Sequence, residues 1–154
     1  MDIMTKIRLD HHALHMLLQQ IIQHASCKQT IHPLWEDFLE EIDEHRQAEY
    51  ACVTEIIKKR NQQLTKTYCL IDYKKIDRFF LNPTNIKVDT NSIIPPLPQQ
   101  LVTLQQKLLA HSYAIEDVLS HLSQECLNTQ QSEELSAKFE DEKITVLANS
   151  ITYA

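Results

Sequence analysis

The sequence predicts an all-α chain folded as an up-down four-helix bundle. Three observations lead there. No glycine occurs among the 154 residues, whereas hairpins and bulges of β domains lean on glycine and helix interiors do better without it. Apolar residues recur every three or four positions along four long stretches, the spacing of one helix face. Four of the five prolines crowd into residues 82–98, which reads as a loop between the second and third helices.

The first helix is expected over residues 3–26, with Met4, Ile7, His11, Leu14, Leu18 and Ile21 or Ile22 along one side. The segment Ser26 to Pro33 breaks it, and Pro33 suits the first turn of a second helix over 33–63. The second stripe is Leu34, Phe38, Ile42, His45, Glu49, Cys52 or Val53, and Ile56. Residues 64–98 form a long connection with room for a short extra helix near Leu70 to Phe80. Connections of that length are uncommon inside a domain and are often functional.

The third helix is expected from Pro98 to about residue 127, with Leu101, Leu104, Leu108, His111, Ile115, Val118 and Leu122 on its stripe. Ser132 is a plausible N-cap for the fourth, followed by Glu133 and Glu134 in its first turn. Leu135, Phe139, Glu142, Val146 and Asn149 make the last stripe. Short links from first to second and from third to fourth helix imply antiparallel neighbours. The whole chain, 1–154, reads as one domain with 64–98 as an insertion.

Composition excludes several classes. The formal net charge is −6 and no basic stripe interleaves with aromatics, so nucleic acid is not an expected partner. The start of the chain has no apolar leader-like run, and no 18 consecutive apolar residues occur, so no membrane span is expected. Cys27, Cys52, Cys69 and Cys126 form no Cys-x-x-Cys pair. Reduced thiols in a cytoplasmic protein are the simplest expectation. Motifs built on glycine, such as nucleotide fingerprints or nucleophile elbows, cannot exist here, so no catalytic residues are proposed from sequence.

The stripes have polar exceptions. His11 stands on the first, His45 and Glu49 on the second, His111 on the third and Glu142 on the fourth. A buried carboxylate or imidazole is costly without a partner, and a cation would partner all of them. His11 lies 18 residues before position 29 and His45 lies 16 after it, so their heights match within about a turn at ~1.5 Å per residue. His111 lies 19 residues before position 130 and Glu142 only 12 after it, a mismatch on the order of 10 Å. His45 and Glu49 are one turn apart on one face, as are His11 and His15. Imidazole with carboxylate suits iron, zinc or manganese. His12, His24, His32 and His121 fall off the stripes and are expected in solvent.

The order of these residues resembles the hemerythrin-like, or HHE cation-binding, domain. Asp10-His11-His12-Ala13-Leu14 matches its first-helix motif, His45-Arg46-Gln47-Ala48-Glu49 its His-x-x-x-Glu, and His111 its third-helix histidine. In the last motif, Lys138-Phe139-Glu140-Asp141-Glu142, lysine stands where the family has histidine. The resemblance covers the four helices but not 64–98. It implies a non-haem iron centre, di-iron in the full pattern and mono-iron in a reduced one, that binds dioxygen or senses oxygen, redox state or iron. His11, His45, Glu49, His111 and Glu142 would be its ligands, with His15 and Glu116 as substitutes for the missing histidine.

Two other functions fit the same residues. A metal-free helical bundle could serve as an adaptor or effector for a protein partner, which the lysine at position 138 favours. A histidine phosphotransfer domain would need His111, in Ala110-His111-Ser112, to be exposed, whereas it lies on an apolar stripe.

Overall fold

The computed structural model of the chain describes residues 1–63 and 97–152. Among them are four helices and no strand: α1 (Ile3–Gln23), α2 (Lys28–Gln63), α3 (Pro98–Cys126) and α4 (Thr129–Thr152). The expected all-α four-helix bundle is thus the observed architecture. The short extra helix expected within 64–98 lies outside the described residues.

Local chemistry sets the helix starts. Asp2 caps α1, accepting from the Thr5 backbone N–H at 2.9 Å and from the Thr5 hydroxyl at 2.7 Å. α2 begins five residues before the proline expected to open it, and Pro33 lies inside it. The missing proline N–H removes one backbone bond near the helix start, while Ile31 and Trp35 on either side are buried and anchor the turn. Pro98 opens α3 as expected. α4 starts before Ser132 because Asn128 and Gln131 cap each other. The Gln131 N–H donates to Asn128 Oδ1 at 2.8 Å, and the Asn128 N–H to Gln131 Oε1 at 3.0 Å. Ser132 serves elsewhere: its hydroxyl oxygen accepts from the Ile3 N–H at 3.0 Å, tying the start of α1 to the start of α4.

The apolar stripes bury as two layers. Ile3, Ile7, Val53, Ile56, Ile115, Leu119, Leu122, Leu135 and Phe139 belong to one. Leu14, Leu18, Ile21, Trp35, Phe38, Leu101, Leu104 and Leu108 belong to the other. Trp35 replaces the expected Leu34 as the buried residue at its turn and stacks on Phe38 with ring centroids 5.5 Å apart. Leu119 is buried where Val118 was expected. The side chains of Val146 and Asn149 lie outside the described residues.

The layers also give the helix directions. α1 passes from the Ile3 layer to the Leu18 layer, and α2 returns from the Trp35 layer to the Ile56 layer. α3 runs the same way as α2, from Leu101 to Leu122, and α4 starts in the layer where α3 ends. Chain neighbours α1 and α2 are therefore antiparallel, as are α3 and α4. The end of α2 and the start of α3 stand at opposite ends of the bundle. α1 packs chiefly against α3, and α2 against α4.

Candidate metal centre

A polar layer separates the two apolar ones. His11 lies between Ile7 and Leu14 on α1, His45 and Glu49 between Ile42 and Cys52 on α2, and His111 between Leu108 and Ile115 on α3. All four are at most 2% exposed. Each offers one ligand atom, and these atoms lie within 4.8 Å of one another. Four donors set tetrahedrally around one ion at about 2.1 Å stand about 3.4 Å from one another. Movements on the order of 1 Å would bring all four onto one cation of that geometry.

The three imidazoles converge on the Glu49 carboxylate. His11 Nε2 and His45 Nε2 approach Oε2 at 3.0 and 2.8 Å, and His111 Nε2 approaches Oε1 at 3.1 Å. Imidazole nitrogens aimed at one carboxylate need protons, or a cation in their place. Burial opposes ionisation of Glu49, yet His111, His45 and His11 hold its carboxyl well below the usual range. Burial likewise opposes charge on His45, but Glu49 and Asp10 outweigh it and push its pKa up to about 9. This donor set could hold a metal ion in the place of those protons.

A second tier orients the ligands. Asp10 Oδ2 accepts from His45 Nδ1 at 2.6 Å, which turns Nε2 toward Glu49 and the rest of the group. Burial works against the Asp10 charge, but His45 and Lys143 keep its pKa low. Glu116 Oε1 stands 3.4 Å from His11 Nδ1. His15 Nε2 donates to Ser112 Oγ at 3.1 Å, because the Ser112 hydroxyl donates to the Leu108 carbonyl. Burial and the nearby His11 lower the His15 pKa.

Of the seven residues expected as ligands, the structure brings together His11, His45, Glu49 and His111. Glu116 stands against His11 and His15 against Ser112, both outside that group. Glu142 is half-buried and stands outside the group. With α4 running at about 100° per residue, Glu142 falls to one flank of Phe139 and Lys143 to the other. Lys143 therefore meets the centre where the glutamate was expected, donating to Asp10 Oδ1 at 2.6 Å. Lys138 does not approach the ligands; it donates to Glu55 Oε2 at 2.5 Å.

Sequence reasoning missed Asp10 and Lys143 as parts of the site. Lys143 follows Phe139 by one turn, which marks it as core-flanking. His12, His24, His32 and His121 are exposed, as expected. The burial of His111 removes the phosphotransfer reading. Among the described residues no helix is long and apolar enough to cross a membrane. No family model, curated protein or solved structure matches the chain, so the site is read from its own side chains.

Proposed function

We propose that the chain is a mononuclear non-haem metal-binding domain, with iron as its ion, acting as a sensor or carrier of oxygen, redox state or iron. The carrying observation is the sealed convergence of three imidazoles and one carboxylate from three helices. Its ligand set follows the hemerythrin-like pattern on the first three helices and departs from it on the fourth. Zinc and manganese also suit imidazole with carboxylate.

One ion fits better than two. A paired site places ions about 3.5–4 Å apart, and each then needs its own donors. Four donors with a single carboxylate supply one. Lys138 engages Glu55 and Lys143 engages Asp10, so among the described residues α4 brings one cation beside the centre and no ligand. X-ray absorption of the iron-loaded chain tests this. The expected spectrum shows imidazole scattering around a single ion, and a metal–metal vector near 3.5–4 Å would contradict it.

A second reading has an observation of its own. Four buried protein ligands make a closed shell, the mark of ions that hold a fold together. The working surface would then lie outside, where Leu9 and Met16 on α1 and Val102, Leu109 and Tyr113 on α3 expose apolar side chains to a protein partner. Adding nitric oxide to the ferrous protein separates the two: the sensor reading expects a changed spectrum, the closed-shell reading an unchanged one.

A further inference from the structure

Among the described residues α4 supplies no ligand, yet two of its side chains act on the same imidazole. Phe139 meets the His45 ring edge-on, with centroids 6.0 Å apart and planes at 67°. One turn later, Lys143 reaches Asp10 Oδ1 at 2.6 Å, while the other oxygen of that carboxylate holds His45 Nδ1 at 2.6 Å. Lys143 Nζ also lies 5.9 Å from the Phe139 ring centroid. The three contacts close a loop from α4 to α1 to α2 and back. The i, i+4 spacing of Phe139 and Lys143 puts both on one side of α4.

We propose that Lys143 is a positioning residue for the metal centre, holding Asp10 so that Asp10 fixes the orientation and tautomer of His45. α4 thereby sets metal affinity through an outer chain of hydrogen bonds instead of through a ligand. This inference rests on the mononuclear reading above.

The physical case is a matter of restraint. A carboxylate with one oxygen engaged can still swing about its last bond. With both engaged it has one orientation, and the imidazole it holds has one plane. The Lys143 and Asp10 side chains are only 15% and 13% exposed, so water does not readily replace either partner. Groups that orient a ligating histidine through its second nitrogen typically change affinity by about 10–100-fold when removed. Lys138 is the natural comparison. It sits on the same helix and makes an ion pair with Glu55, but that pair is 40% and 33% exposed.

The test uses the full chain stripped of metal and titrated with cobalt(II), read by visible absorption against a competing chelator. Wild type is expected to take up one ion. Lys143→Met is expected to bind about tenfold more weakly, Lys143→Arg to stay near wild type, and Lys138→Met to match wild type. Equal affinity of wild type and Lys143→Met would overturn the inference while leaving the metal reading intact. Equal losses in Lys143→Met and Lys138→Met would also overturn it, since general docking of α4 would then be the cause. No cobalt uptake by wild type would overturn the metal reading itself and this inference with it. Should Lys143→Met fail to fold, Asp10→Asn is read instead. Its expected loss is about 10–100-fold, and an unchanged affinity would overturn the chain of contacts.

Discussion

Glu49→Gln is expected to strip the chain of stoichiometric metal and to destabilise the metal-free protein by about 3–5 kcal/mol at neutral pH. Glu49 is the only carboxylate among the four convergent ligands, and all three imidazole Nε2 atoms face it within 3.1 Å. Glutamine keeps the shape and removes the charge. In the metal-free state His45 then retains Asp10 but loses the carboxylate on its other side, in a layer closed off by apolar residues above and below. Breaking one side of a buried charge network leaves the other side without compensation. In the loaded state the same change removes the one anionic donor. The measurements are metal content and urea unfolding in chelator. Retention of one ion by Glu49→Gln would show that the carboxylate is not a ligand.

Metal is expected to raise the thermal midpoint on the order of 10 °C over the same protein in chelator. An ion that binds only the native state at about a thousandfold its Kd contributes about 4 kcal/mol. In a chain of this size each kcal/mol moves the midpoint by about 2–4 °C. The pH dependence has a definite sign. In the metal-free protein the His45 pKa stands at about 9 against an ordinary 6.5. Its contribution to stability is therefore full below 6.5 and lost as pH rises through 9. A metal at Nε2 must displace that proton. Apparent affinity should accordingly climb from pH 6.5 to 9 and then level off, so the gap between loaded and metal-free midpoints widens over that window. Differential scanning calorimetry across it is the measurement. A gap that narrows with rising pH would contradict protons and metal competing for His45.

Much of the site was legible because a bundle core tolerates few polar residues. The apolar stripes around Ile7 and Leu14, Ile42 and Cys52, and Leu108 and Ile115 leave His11, His45, Glu49 and His111 as their interruptions. Periodicity alone placed each of them facing inward. Height along the helices then brought His11 level with His45. Glu142 stands outside the convergent group, and a stripe resolves rotation only to within a residue or so at each turn. Near the end of a stripe the residues flanking Phe139 are equivalent by pattern, and tertiary contact with Asp10 selects Lys143.

Helix starts failed where capping was reciprocal rather than local to a single strong residue. Asn128 with Gln131 outcompeted Ser132, whose hydroxyl was already engaged by the Ile3 N–H. The direction of α3 was not written in any stripe, because a stripe has the same period read upward or downward. It follows from which layer each end of α3 joins, information that only packing supplies. Lys138 could not be recognised from sequence as the partner of Glu55, since that pair joins positions 83 residues apart.

One metal ion held by His11, His45, Glu49 and His111 is tested most directly by metal content. Inductively coupled plasma mass spectrometry would be run on this chain made in iron-supplemented cells and purified without a metal-binding tag. About one ion per chain is expected, lost when His45 and Glu49 are both changed to alanine. About two ions would contradict the mononuclear centre, and a well-folded protein without stoichiometric metal would contradict the metal centre altogether.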